Sequence, residues 1–245
     1  MSRESTMADT FESVHCTHEG VRLEGFAVRP PGAETRPAVL MFPGATGPGP
    51  SFDAAVRELA DAGYVAVSIG MYGQGADVST PQTAGTYFAQ LMQRPEAIRE
   101  RAVAWFEAVR ALPGVDPARV AAVGYCFGGK CVLELARSGA PVACVSSFHG
   151  LLTTHAPARS GEVSAHVAVW SGGRDPYAPL ADFDALRAEF DAADVDYQAT
   201  LFARAQHSFT DPDHDGIAEG IAYDLTAHRI AWSGTLALLE ATLSA

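Results

Sequence analysis

Along residues 38–42 the chain reads AVLMF, a continuous apolar run of the length a fully buried strand requires. Further strands are read at 64–69, 120–124, 142–148, 167–170 and 197–202, of which 120–124 is again of the buried type. Between them lie segments whose apolar residues follow a helical period, at 52–62, 128–137, 180–192 and 224–243. Gly63 and Gly139 stand where two of these helices should stop. A further helical region ends at Leu112, and Pro95 breaks or restarts it. Its second part places Ile98, Val103, Trp105, Phe106 and Val109 at mostly helical spacing. Residues 70–85, rich in Gly, Ser and Thr, read as a loop. Ahead of all this, 12–15 and 22–28 read as short strands split by Glu19-Gly20, a hairpin signal. Strands alternating with helices predict an α/β architecture: a mostly parallel sheet flanked by helices on both faces. With no internal repeat and no linker, residues 11–245 read as one domain after a flexible polar tail at 1–10.

Composition narrows the function classes. Of the 245 residues, 48% are hydrophobic and 19% charged, which favours a large core over disorder. The formal net charge of -12 argues against nucleic acid and against anionic membranes as partners. No apolar run approaches the roughly 18 residues of a membrane span. The N-terminus lacks the pattern of a secretory signal. Cys16, Cys126, Cys131 and Cys144 form no C-x-x-C pair and are too scattered for a disulfide framework. The expectation is a cytoplasmic protein with free thiols, monomeric or homodimeric.

One of those thiols stands out. Residues 124–129 read GYCFGG, between a buried strand and a helix. In a G-x-S-x-G elbow the nucleophile occupies a strained turn from strand to helix. The flanking glycines serve because the two elements approach too closely for side chains. A cysteine in the serine's place keeps that geometry. It also puts the sulfur at a helix N-terminus, where the dipole favours thiolate. The N–H of Phe127 would then face a substrate oxygen as half of an oxyanion hole, with Gly44 and Ala45 supplying the other half. A buried, inert cysteine beside a tight turn is the bland alternative.

An elbow nucleophile needs an acid and then a base further along the chain. Asp175 follows the run at 167–170, after Gly172-Gly173, and His207 follows the last strand. Both sit at carboxyl ends of strands, where parallel sheets place their sites. Asp175-Pro176 also fits a turn or helix cap, and His207 is one of eight histidines. Three matches in one order, each after its own strand, point to a Cys126–His207–Asp175 triad.

Taken together, GYCFGG at 124–129, GGRDP at 172–176 and HSF at 207–209 resemble the dienelactone hydrolase family. The likeness runs from about Phe11 to Leu243. It implies an α/β-hydrolase fold, the same triad, and hydrolysis of a small ester or lactone without metal or organic cofactor. The family's founding activity opens an enol-lactone in chloroaromatic breakdown. Two family features are missing. A loop glutamate that helps control the cysteine's proton has no equivalent in Pro43-Gly44-Ala45-Thr46-Gly47. The arginine four positions after the base, which holds the substrate carboxylate, is replaced by Asp211. For a second such arginine, Arg94 and Arg99 are the candidates.

Other signals have weaker claims. Asp211-Pro212-Asp213-His214-Asp215-Gly216 copies half of an EF-hand loop, but its twelfth position is Ala222, so a solvated loop is expected. Gly44–Gly49 lacks the ending of a phosphate loop. His149 ends a strand and is expected to line the pocket, while Tyr72, Tyr87, Phe88 and Met92 are candidates for an apolar wall over it. Two rival functions remain in view: a redox-sensing thiol, and a non-catalytic scaffold. Cys131 lies in the helix after the elbow, a poor position for a resolving thiol.

Overall fold

A computed structural model describes residues 11–244. The tail expected at 1–10 lies outside the described residues. Eight strands form one sheet in the order β1-β2-β4-β3-β5-β6-β7-β8. β1 (Glu12–His18) and β2 (Val21–Val28) pair antiparallel, and β2 pairs antiparallel with β4 (Val65–Gly73). From β4 onward every pairing is parallel, through β3 (Arg36–Phe42), β5 (Val115–Tyr125), β6 (Cys144–Phe148), β7 (His166–Gly172) and β8 (Tyr197–Phe202).

Helices cover both faces, which is why β3 reads as unbroken apolar sequence. Leu40 and Phe42 join a core shared with α3 (Pro95–Arg110), α4 (Phe127–Arg137) and α5 (Leu180–Ala192). Their neighbours Val39 and Met41 point to the opposite face, against α1 (Pro50–Asp61) and α6 (Leu225–Leu243). All five residues from Ala38 to Phe42 are fully buried. A sixth helix, α2 (Pro81–Met92), lies beyond β4. This is the α/β-hydrolase fold. Among the described residues, no helix is long and apolar enough to cross a membrane.

Several boundaries differ from the sequence expectation. Residues 70–85 are not one loop. β4 continues to Gly73, because Gly73 pairs with Leu23 of β2. α2 then starts at Pro81, capped by the Thr80 hydroxyl, which accepts from the Thr83 N–H. β5 starts five residues early, at Val115, where it pairs with Arg36. A buried ion network ties α3, α4 and α5 together. Glu134 of α4, with its side chain fully buried, accepts from Arg99 and Arg137, and Arg137 reaches Glu189 of α5 at 2.8 Å.

Candidate active site

The turn from β5 into α4 is where the chain is most constrained. Cys126 holds φ 53° and ψ -114°, a left-handed backbone unusual outside glycine. The packing on either side explains why the turn is held. A Cβ at Gly124 would collide with the Gly128 carbonyl, and one at Gly128 would collide with the Phe42 carbonyl. So strand, helix and β3 meet backbone to backbone. The Cys126 N–H donates to the Phe148 carbonyl at 3.0 Å, and its carbonyl accepts from Lys130. The sulfur is thereby fixed at the first turn of α4, where the amides lack intrahelical partners.

Two side chains from later strands converge on it. His207 Nε2 lies 3.1 Å from Cys126 Sγ, and His207 Nδ1 lies 2.8 Å from Asp175 Oδ2. Asp175 and His207 are 4% and 3% exposed, so this line of contacts is shielded from bulk water. The other Asp175 oxygen, Oδ1, accepts from the N–H groups of Tyr177 and Ala178. The two oxygens of Asp175 thus divide the contacts: one accepts from the turn, the other faces the histidine. Burial of the imidazole disfavours its cation. The hydrogen bonds with Asp175 and Cys126, and the charges behind them, outweigh that and push His207 up to about 10.

The sulfur opens into a cavity of about 470 Å³. Gly44, Ala45, Phe88 and His149 line it, together with Cys126 and His207. Tyr72 and Tyr87 do not. They stand behind the wall instead: Tyr72 stacks on Phe127 with ring centroids 6.1 Å apart, and Tyr87 stacks on Tyr72 at 5.6 Å. Phe88 meets Phe127 edge-on. Phe127 itself is buried in the core and so presents only its backbone toward the elbow. His149 carries a positive φ of 39°. It packs edge-to-face on His207 and bonds Thr210 Oγ1 through Nε2 at 2.8 Å. Burial, reinforced by the His207 charge, drives its pKa well below the ordinary histidine value, so it stays neutral.

The arginine candidates fail on position. Arg94 pairs with Glu19 at the surface and Arg99 with Glu134, and neither lines the cavity. The carboxylates of the half EF-hand are taken by backbone N–H donors. Asp211 accepts from the Asp213 N–H, Asp213 from the Ser51 N–H and Asp215 from the Tyr223 N–H, around a short 3-10 turn at Pro212–His214. Cys16 and Cys144 are each pushed up to about 11 by burial, and Cys131 higher still. Among the described residues, Cys126 is the only thiol on the cavity wall.

Some wall residues escaped sequence reasoning. Tyr177 packs against His207 with ring centroids 4.7 Å apart and the planes tilted. Phe52 and Glu58 come from α1, His228 and Trp232 from α6. For Tyr177 the adjacent Asp175-Pro176 turn was a usable signal. For the others no local pattern marks a role, because α1 and α6 meet only through the fold.

Comparisons with known proteins identify the family. The family model for the dienelactone hydrolase family matches residues 23–243. The chain belongs to the dienelactone hydrolase family. It is a hydrolase of that family by membership, and solved relatives match nearly its whole length. A structure named m3DLH is 30% identical, with a TM-score of 0.88, covering 97% of this chain and 100% of that one. A dienelactone hydrolase-like promiscuous phosphotriesterase from metagenomic libraries is 33% identical, with a TM-score of 0.83 and the same coverage. An uncharacterised Caenorhabditis elegans protein is 33% identical over 147 residues, which is 58% of this chain and 92% of that protein.

Proposed function

We propose that the chain hydrolyses activated esters or lactones through a covalent acyl-enzyme on Cys126. One observation carries the reading: His207 bridges Cys126 Sγ and Asp175 Oδ2 at 3.1 and 2.8 Å, on a strained elbow at a helix N-terminus. In this scheme Asp175 fixes the His207 tautomer and supports its cation. His207 holds the proton that leaves the sulfur, and the thiolate attacks the carbonyl carbon. Charge develops on the carbonyl oxygen, which the Phe127 N–H and the Gly44–Ala45 backbone stabilise. His207 passes its proton to the leaving alcohol or enolate oxygen. The now neutral ring takes a proton from water, whose hydroxide attacks the thioester and frees the acid and the thiol.

This cycle runs on the chain's own residues. Thiolate is a better leaving group than alkoxide, which favours activated acyl groups over amides. The four free cysteines accord with a reducing, cytoplasmic setting. The test is turnover of aryl esters and small lactones by Cys126→Ala. The reading expects loss of several orders of magnitude. Undiminished turnover contradicts it.

A second reading rests on the 33% identical phosphotriesterase. The same thiolate would attack a phosphotriester and expel an aryloxide. Release of p-nitrophenol from a p-nitrophenyl dialkyl phosphate, lost in the same variant, tests it.

A further inference from the structure

The cavity wall beyond Cys126 has an unusual charge. Among the described residues that line it there is no lysine or arginine, while Glu58, Asp211 and Asp213 all face it. Arg57 and Arg229 neighbour this region in sequence, but neither is on the wall, and Arg57 lies over the Phe11 ring. His214 is on the wall, bonded to Asp211. Even protonated, it offsets one of these three carboxylates, while the His207 cation is balanced by its own partner Asp175. Burial holds His228 below the ordinary histidine value, so it adds no charge at neutral pH.

Glu58 and Asp211 line the same cavity as Tyr125. Glu58 and Asp211 both act on Tyr125, whose phenol is pushed far up by burial first and by those two charges after it. Both also act on His228. Tyr125 is the residue before the nucleophile, so this acidic end is continuous with the sulfur. Its walls are aromatic. Phe52 meets Tyr125 edge-on with centroids 5.8 Å apart, and Trp232 donates its indole N–H to Glu58 at 2.8 Å. Aromatic rings beside carboxylates can attract an organic cation through both quadrupole and charge. A carboxylate at the same place meets repulsion with no arginine to relieve it.

We propose that this cavity selects esters carrying an organic cation, and discriminates against esters carrying a carboxylate. Glu58 and Asp211 are the specificity-determining residues. The proposal rests on the reading of Cys126 as an ester-cleaving nucleophile. It replaces the absent arginine clamp with one of opposite sign.

Three matched aryl esters test it: 3-(trimethylammonio)phenyl, 3-tert-butylphenyl and 3-carboxyphenyl acetate. Each kcat/KM is divided by that ester's own rate with hydroxide, to remove leaving-group differences. At low ionic strength the cationic ester is expected to exceed the neutral one about tenfold and the anionic one about a hundredfold. Glu58→Gln with Asp211→Asn, or about 1 M salt, is expected to shrink the cation-to-anion ratio about tenfold. A flat order, or a carboxylate preference, with the neutral ester still turned over, overturns the charge selection alone. No turnover of the neutral ester removes the hydrolase reading and this inference with it. The unmodified enzyme's order carries the test even where the double variant does not fold.

Discussion

The Tyr72 hydroxyl donates a 2.9 Å hydrogen bond to the carbonyl oxygen of Ala45. The bond fixes a peptide of the loop that borders Cys126, and the same ring stacks on Phe127 on the other side. Tyr72 thus braces both backbone segments assigned to the oxyanion. Tyr72→Phe removes the bond and keeps the stack. A neutral hydrogen bond of this kind is worth about 0.5–1.5 kcal/mol, so kcat on an aryl ester should fall about two- to tenfold with little change in KM. Unchanged kcat would mean the loop holds itself.

Asp175 separates turn from chemistry by oxygen. In Asp175→Asn, Oδ1 can still accept from Tyr177 and Ala178, so the loop should survive. The group facing His207 Nδ1 becomes a donor or the ring must adopt the other tautomer. By analogy with triads of this type, kcat should fall about 10⁴-fold while the urea midpoint changes little. Steady-state kinetics and urea unfolding on the same preparation check both halves. Near-normal kcat would remove Asp175 from the mechanism.

His207 gives the pH dependence. Its folded pKa of about 10 lies above an unfolded value near 6.5. The folded state therefore binds the proton more tightly. The stability this contributes is fully present below about pH 6.5, declines from there, and is lost as pH passes about 10. Proton NMR of the ring should show a titration near 10. The excess stability over His207→Gln should shrink across the same window. A ring titrating near 6.5 contradicts the assigned contacts.

The buried ion network makes a prediction about the scaffold. Glu134 has a fully buried side chain and is bonded to Arg99 and Arg137. Glu134→Ala leaves two guanidinium groups without that partner. The expected loss is about 3–5 kcal/mol, read from urea or thermal unfolding. A loss under about 1 kcal/mol would mean the bonds the arginines already make, to Glu189 and to the Leu152 and Ala156 carbonyls, are enough to hold them.

The elements legible in the sequence were those whose signal is local. α5 and β8 begin and end where the apolar pattern does. The residues of the candidate triad each follow a strand of the parallel part of the sheet, which brings their strand ends together. What sequence missed depends on distant pairing. β4 runs through Gly70 to Gly73 because β2 lies alongside, which no window around residue 70 contains. The cavity wall is the stronger case. Trp232 reaches Glu58 across 174 positions, so the acidic, aromatic end exists only once α1 and α6 share a face of the sheet. Tyr72 and Tyr87 were read as wall because aromatic residues near a site fit either role. Their stacking decides that they support it from behind.

The central claim concerns the Cys126 sulfur, and its most direct test is to catch the acyl group there. The enzyme is mixed with excess p-nitrophenyl butyrate, quenched in acid within milliseconds to seconds, and digested for mass spectrometry. The account predicts a butyryl increment on the peptide containing Cys126, with none in Cys126→Ala. A butyryl group on another residue that turns over at the steady-state rate, or full turnover by Cys126→Ala, contradicts it.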